Sequence, residues 1–195
     1  ITRMRDSMLH RGPDGEGNWI SPDKQVGFGH RRLSIIDLSE KANQPMSNKD
    51  GSLQLVFNGE IYNHRELREE LRKQGFIFKS HTDTEVILAA YRYWGLDCFK
   101  HFVGMWALAL WDVQADKLIL SRDRLGIKPL YYAYDGNTWV FGSEPKVIVD
   151  QVSGTRRLNM QAITDYFSYR YVLGGDSFFR GIHSVDAGTH LILHG

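Results

Sequence analysis

One stretch of the sequence limits the possible folds strongly, because it is apolar without interruption. It reads Met105-Trp106-Ala107-Leu108-Ala109-Leu110-Trp111. The run has the length of a β-strand, and no polar residue alternates with the apolar ones, so both faces of the strand have to be covered. We therefore predict a central strand that is buried on both sides.

Antiparallel hairpins are predicted after this strand. Turn residues at 112–116 lead to a second strand at 117–122, and Asp135-Gly136 joins strands at 130–134 and 138–141. Further strands are expected near 25–30, 178–179 and 190–193. The glycine-rich, proline-containing residues before 25 are interpreted as a loop.

Helices are predicted from capping patterns and apolar periodicity. Two capping-box patterns are present, Asn63 with Glu66 and Thr82 with Glu85. They predict helices over 64–74 and from 83 to Gly95, and further helices are expected after Ser143 and over 160–169. The order of strands, two helices, hairpins and helices predicts one α+β domain in which helices cover antiparallel sheets.

Composition excludes several functional classes. The chain has 195 residues, 42% of them hydrophobic, and a formal net charge of +1, which gives no reason to expect binding to nucleic acid or an anionic membrane. No apolar run reaches the length of a bilayer span. A single cysteine, Cys98, excludes an internal disulfide and fits a reducing cytoplasm, and the histidines show no metal-ligand spacing.

The run Asn58-Gly59-Glu60-Ile61-Tyr62-Asn63 follows an alternating apolar stretch and precedes a helical pattern. An Asn-Gly pair is typical of a tight turn. We therefore predict a turn from strand to helix at Asn58 and Gly59. Such a turn would leave the Gly59 N–H and the Asn58 side-chain NH2 free to face a developing negative charge.

Five phrases occur in an order that resembles one family. They are His10-Arg11-Gly12-Pro13-Asp14, Arg32-Leu33-Ser34-Ile35-Ile36-Asp37, the Asn58 to Asn63 run, Arg122-Asp123-Arg124-Leu125-Gly126-Ile127-Lys128-Pro129-Leu130-Tyr131-Tyr132 and Ser143-Glu144-Pro145-Lys146. Nearly the whole chain resembles the glutaminase domain of class II glutamine amidotransferases of the asparagine synthetase type. That resemblance implies a four-layer αββα sandwich of two antiparallel sheets, the fold of the N-terminal nucleophile hydrolases.

The resemblance also implies a reaction. In this family a cysteine at the mature N-terminus attacks the side-chain amide of glutamine, and ammonia is released. Residue 1 is isoleucine here, and Cys98 lies among apolar neighbours, where a packed core thiol is expected. We expect that an N-terminal segment with the nucleophile is missing, and that the chain as printed is inactive.

Site residues are assigned by the same resemblance. Arg32 would bind the α-carboxylate of glutamine, because its planar guanidinium matches a carboxylate, and the backbone from Leu33 through Ser34 and Ile35 to Ile36 would line the pocket. Asp83 would accept the α-ammonium, with help from Glu60. Asn58 and Gly59 would form the oxyanion hole. The alternatives are a solvated arginine, a helix-start acid and a simple turn.

No cofactor is expected in this domain. The stretch Leu173-Gly174-Gly175-Asp176-Ser177 lacks the leading serine and the spacing of an ATP pyrophosphatase loop, and no phosphate loop or dinucleotide motif is present. ATP and Mg are expected only in a C-terminal synthetase domain that is absent from this chain. The expected partners are glutamine and that synthetase domain, and a homodimer is left open.

Three functions remain from the sequence. The first is an ammonia-donating glutaminase domain of an asparagine synthetase-like enzyme. The second is the same domain in an amidotransferase whose acceptor is a sugar or a peptide-like precursor. The third is a glutamine-binding or interaction module without a nucleophile.

Overall fold

The protein is described by a computed structural model that covers residues 1–33 and 42–194. The strands are β1 Gly15–Ile20, β2 Gly27–Arg32, β3 Met46–Ser47, β4 Leu53–Ile61, β5 Gly104–Asp112, β6 Lys117–Arg122, β7 Tyr131–Tyr134, β8 Trp139–Gly142, β9 His183–Ser184 and β10 His190–His194. The α-helices are α1 Thr2–Asp6, α2 His64–Lys73, α3 Asp83–Trp94, α4 Cys98–His101 and α5 Met160–Tyr169.

The predicted central strand is confirmed. It is β5, and it lies in the middle of a five-stranded antiparallel sheet with the order β10-β6-β5-β4-β3. Trp106, Leu108 and Leu110 pack on the side of α2 and α3. Ala107 and Ala109 pack on the opposite side. The two faces of one strand therefore serve two separate cores.

A second layer of strands covers the face that carries Ala107 and Ala109. It consists of the β1-β2 hairpin and the three-stranded sheet β8-β7-β9, and Phe28 of β2 is fully buried in the shared core. A third core lies against Ala133 of β7 and includes Ile148, with Met4 and Met8 packed against it. The αββα layering is confirmed, with the second sheet layer divided into two smaller sheets.

Several element predictions are confirmed closely, namely α2, α3, α5, β6, β10 and the β7-β8 hairpin. The prediction for the segment before residue 25 is wrong, because Gly15–Ile20 forms β1 and pairs with β2 along its whole length. A 3-10 turn, Pro145–Val147, follows Ser143. The pair near 178–179 makes only an isolated bridge from Phe179 to Leu158.

The capping box at Asn63 is also wrong. The Asn63 side chain makes no cap for α2. It accepts a hydrogen bond from the Val103 N–H and donates one to the His101 carbonyl, both at 2.9 Å. The Asn63 side chain thus bonds to backbone groups just before β5. It is therefore not available to cap α2 in the way that the local sequence pattern predicted. Thr82 does cap α3, since its hydroxyl accepts from the Glu85 N–H at 3.2 Å.

Candidate active site

The Asn58-Gly59 pair lies inside β4 and does not form a turn. Residues Leu53 to Ile61 pair with β5 without interruption, with Asn58 opposite Ala107 and Gly59 opposite Trp106. Neither residue of the pair has a positive φ. Nine consecutive pairings with a buried central strand outweigh the local turn preference of an Asn-Gly sequence, and the chain leaves the strand only after Ile61.

Gly59 is required by close packing. A Cβ at this position would lie 2.2 Å from the Met105 carbonyl oxygen and 2.8 Å from the Trp106 Cα. Those are backbone atoms of the neighbouring strand, which cannot move aside as a flexible side chain can. The glycine therefore lets β4 and β5 approach each other where the oxyanion hole was predicted.

The Gly59 N–H points away from β5. In an antiparallel pair, alternate residues direct their N–H groups to the same side of the strand. The Phe57 N–H donates to Gln44 Oε1 at 2.6 Å, and the Ile61 N–H donates to Asp83 Oδ2 at 3.0 Å. The Gly59 N–H lies between these two on the same edge of β4, where the Gln44 and Asp83 side chains lie.

Six of the predicted site residues line one open cavity of about 840 Å³. They are Arg32, Leu33, Asn58, Gly59, Glu60 and Asp83. The remaining three, Ser34, Ile35 and Ile36, lie outside the described residues. The cavity thus joins the end of β2, the middle of β4 and the start of α3, three segments that are distant in sequence.

Arg32 is the last residue of β2 and is half-buried. Its Nη1 donates to Asn43 Oδ1 at 2.9 Å, which orients the guanidinium beside the cavity. The neighbouring Arg31 is held differently, by ion pairs with Asp6 and Glu16 at 3.0 and 2.9 Å. The two adjacent arginines therefore have different surroundings, as alternation along a strand requires.

Asp83 is buried in the first turn of α3. Burial raises the pKa of its carboxyl group, and hydrogen bonds from the backbone of Ile61 and Thr84 offset part of this effect. Its two oxygens accept from the N–H groups of Ile61 and Thr84 at 3.0 and 2.9 Å. A carboxylate has about four acceptor positions, so it can accept a further donor from the cavity.

Asn58 and Glu60 extend from the inner face of β4. Phe57 packs in the core beneath the helices and Val56 packs in the core between the sheets, so alternation places Asn58 and Glu60 on the same side as Val56. Both residues are half-buried. No residue in the described part of the chain accepts a hydrogen bond from the side-chain amide of Asn58.

His30 is a residue of the cavity wall that the sequence did not indicate as functional. Its Nε2 lies 3.3 Å from the Phe57 carbonyl oxygen, which can only accept, so Nε2 carries the proton. The other ring nitrogen, Nδ1, is buried without a hydrogen-bond partner among residues 1–33 and 42–194. Burial lowers the pKa of His30 to about 4, and the ring is therefore neutral near pH 7.

Gln44 is a second residue that sequence reasoning missed. It lines the cavity, and its side chain bonds to the Phe57 backbone thirteen residues further along the chain. The only local signal was its position before Pro45, which indicates extended backbone and carries no information about a distant contact.

The remaining family phrases stabilise loops next to the cavity. Glu144 accepts from His10 and Arg11 at 3.0 and 3.1 Å and pairs with Lys146 at 3.0 Å. Although burial opposes it, these hydrogen bonds lower the pKa of Glu144 to about 2. The buried carboxylate of Asp123 accepts from four backbone N–H groups, of Trp106, Leu125, Ile127 and Lys128. The residues of these motifs therefore stabilise the backbone and the side chains of the loops in which they lie.

Within the described ranges, no cluster of histidine, cysteine and acidic side chains could hold a metal ion. None of the described helices is both long enough and apolar enough to cross a bilayer. Cys98 is fully buried in the core beneath the helices, and burial raises its pKa to about 12. That thiol is packed away from the cavity.

Comparison with known proteins gives consistent matches. The family model of the glutamine amidotransferase domain matches residues 1–195. The chain is 39% identical to a putative glutamine-hydrolysing asparagine synthetase 2 of Methanocaldococcus jannaschii, with 98% of this chain and 40% of that protein covered. It is 37% identical to the glutamine-hydrolysing asparagine synthetase 1 of Bacillus subtilis, over 99% of this chain and 30% of that protein.

Two further matches extend the comparison. The amidase chry2 of Gibberella zeae is 38% identical over 96% of this chain and 27% of that protein. Among solved structures, the glutamine phosphoribosylpyrophosphate amidotransferase of B. subtilis, complexed with ADP and GMP, superposes with a TM-score of 0.60 at 22% identity, over 86% of this chain and 32% of that one. This last likeness concerns the fold alone. The chain spans less than half the length of each of these proteins.

Proposed function

This chain belongs to the glutamine amidotransferase domain family, and on that premise we propose that its cavity binds glutamine and directs the release of ammonia from the side-chain amide. The observation that carries the proposal is the joint position of Arg32, Asn58, Gly59, Glu60 and Asp83 on one cavity. A cation, two candidate oxyanion donors and two acids are the groups that a zwitterionic amide substrate requires.

Each residue has a role in this proposal. The Arg32 guanidinium binds the α-carboxylate, and Asp83 with Glu60 binds the α-ammonium. The Gly59 N–H and the Asn58 side-chain NH2 stabilise the negative charge on the amide oxygen when the carbonyl carbon is attacked. Leu33 lines the same cavity, and the pocket role expected of residues 34–36 stays a prediction, because they lie outside the described residues.

The nucleophile is proposed to be a cysteine that is not among these 195 residues. Its sulfur would add to the amide carbon, and the amide nitrogen would take up the proton given up by the thiol and leave as ammonia. Water would then hydrolyse the thioester, which releases glutamate and restores the thiol. Cys98 does not fill this role, because it is buried and its raised pKa keeps it protonated.

We propose that the ammonia is used for asparagine synthesis by an ATP- and Mg-dependent synthetase domain in the full protein. The printed names of the relatives from M. jannaschii and B. subtilis support this choice. The amidase chry2 supports a second candidate, in which the same domain serves a different acceptor. The synthetase domain would determine which molecule accepts the ammonia, because the acceptor does not have to contact the cavity of this chain.

The full natural protein that contains this chain tests the proposal. We expect it to form glutamate from glutamine, and to form asparagine when aspartate, ATP and Mg are added. A panel of sugar and peptide-like acceptors, supplied in place of aspartate, distinguishes the second candidate. Glutamine binding without any glutamate formation would instead favour the binding module without a nucleophile.

A matched pair of substitutions tests the site itself. Asp83→Asn removes the charge that faces the α-ammonium, and we expect KM for glutamine to rise by about 10- to 100-fold, because a hydrogen bond to a charged group is lost. Asp112→Asn is the control, since Asp112 accepts from Tyr91 and Gln114 at the far end of β5. An equal effect of the two substitutions would contradict the assignment of Asp83.

A further inference from the structure

Within the described part of the chain, side chains cover the edge of β4 that faces the cavity beyond the short strand β3. The short strand β3 pairs only with Gln54 and Leu55. Beyond them, the N–H groups of Phe57 and Ile61 still point away from β5, and they donate to the side chains of Gln44 and Asp83. The N–H between them, that of Gly59, lies about 7 Å along the strand from each.

The Phe57 residue is held at both of its backbone polar groups. Gln44 Oε1 accepts from the Phe57 N–H at 2.6 Å, and His30 Nε2 donates to the Phe57 carbonyl at 3.3 Å. Phe57 directly precedes Asn58. Two side chains, from β2 and from the residue before Pro45, therefore hold the backbone one residue before the proposed oxyanion hole.

Gln44 is itself fixed by its surroundings. Its backbone lies so close to β1 that a Cβ on Gly17 would be 2.0 Å from the Gln44 carbonyl oxygen. Its Nε2 lies 3.5 Å from the hydroxyl of Thr84, the residue after Asp83. Gln44 thus contacts β1 of the second sheet layer through its backbone, and it contacts the edge of β4 and the first turn of α3 through its side chain.

We propose that Gln44, together with His30, is a positioning residue that holds the Phe57 backbone and thereby aims the Gly59 N–H and the Asn58 side chain at the amide oxygen of glutamine, an inference that rests on the proposed function. Gln44 acts through the backbone, because its acceptor oxygen is engaged by Phe57. An error of about 1 Å in the placement of such a donor can reduce a rate about 100-fold.

The experiment compares Gln44→Met with Gln54→Met in the full natural protein. Gln54 is a matched control, because it lies on β4 and its side chain also makes one short and one long hydrogen bond, with Ser47 at 2.7 Å and with the Gly51 carbonyl at 3.5 Å. It lies about 17 Å along the strand from Gly59. Steady-state glutamine hydrolysis and the melting temperature are measured for both variants.

We expect Gln44→Met to lower kcat by about 10- to 100-fold while KM changes by less than about 3-fold, since the donors act mainly in the transition state. Gln54→Met should lower the melting temperature to a similar degree and leave kcat within about 2-fold. Hydrogen exchange gives a second readout. In Gln44→Met the Phe57 amide should exchange faster while the Ile61 amide, held by Asp83, does not, and Gln44→Glu should keep Phe57 protected because an acceptor oxygen is retained.

Other results would overturn the inference. Equal losses of kcat in the two methionine variants would reduce Gln44 to a structural residue, and the proposed function would still stand. If the Phe57 amide is as well protected from hydrogen exchange in Gln44→Met as in the unaltered protein, Gln44 does not hold the Phe57 backbone. If the unaltered protein does not hydrolyse glutamine, the proposed function fails and this inference fails with it.

Discussion

Gly59, a proposed oxyanion donor, has no room for a side chain, and the effect of adding one on stability can be measured. In Gly59→Ala the new methyl group would meet the Met105 carbonyl oxygen at 2.2 Å. We expect the free energy of unfolding to fall by about 1–3 kcal/mol through overpacking, as measured by urea denaturation. Gly15→Ala is the control, because its Cβ would make an ordinary contact with Arg32 Cβ at 3.6 Å. Equal stability of the two variants would contradict the close approach of β4 and β5.

His30 gives a pH-dependent contribution to stability whose sign is fixed. Its pKa is lowered from 6.5 to about 4 by burial, so the unfolded chain takes up the proton first as the pH falls. The contribution of the neutral ring is complete above about pH 6.5 and is lost as the pH decreases towards 4, by at most about 1.4 kcal/mol per pH unit.

The variant His30→Gln tests this prediction, because a glutamine can still donate to the Phe57 carbonyl and does not titrate. Urea denaturation at pH 7, 6 and 5 should show a steeper loss of stability in the unaltered protein than in the variant. The comparison isolates His30 from acidic groups such as Glu144, which titrates lower, near pH 2. Parallel pH dependences would contradict the lowered pKa.

At the scale of elements, the connection between α2 and α3 depends on one buried arginine. Arg68 of α2 donates to the carbonyls of Ser80 and Thr82, both at 2.7 Å, and its guanidinium lies 4.5 Å from the centre of the Phe78 ring. These contacts hold the loop that ends at the start of α3, where Asp83 enters the cavity. The orientation of Asp83, a proposed substrate-binding residue, thus depends on a side chain of the preceding helix.

We expect Arg68→Met to lower the free energy of unfolding by about 2–4 kcal/mol, because two buried carbonyls lose their donors. Glutamine affinity should fall as well, since the first turn of α3 is less well held. Arg72→Met is the control, because Arg72 is exposed and pairs only with Glu69, an interaction that contributes about 0.5 kcal/mol or less. Chemical denaturation and a glutamine titration measure both effects. Similar results for the two arginines would refute the role of Arg68.

The elements that the sequence predicted well have strong local signals. The α3 helix has its Thr82 cap and apolar stripe, and β5 has its unbroken apolar run. The β1 strand was missed because Gly15 and Gly17 resemble loop residues, although pairing with β2 makes them strand residues. Asn58-Gly59 was assigned to a turn because its local preference is strong, whereas the nine-residue pairing with β5 is a non-local effect that a short pattern cannot show.

At the scale of the whole molecule, the layering brings the site together. The six predicted site residues in the described part of the chain line one cavity, to which β2, β4 and the start of α3 contribute. The resemblance to a family indicated which residues these are, but their relative positions depend on strand pairings between distant parts of the chain. The sequence did not indicate Gln44 or His30, because neither lies in the five phrases that resemble the family. Each bonds to the Phe57 backbone, and a short sequence pattern does not show such a contact.

The 195-residue polypeptide as a whole has the groups proposed to bind glutamine but no accessible thiol among its described residues. Its single cysteine, Cys98, is fully buried beneath α2 and α3, and its pKa of about 12 leaves almost no thiolate near pH 8. The pocket residues, in contrast, are all present. We therefore expect the polypeptide to bind glutamine in a calorimetric titration and to release no ammonia above background, with Cys98→Ala behaving in the same way. Glutamate formation that disappears in Cys98→Ala would contradict the prediction, because it would show that this thiol reaches the substrate.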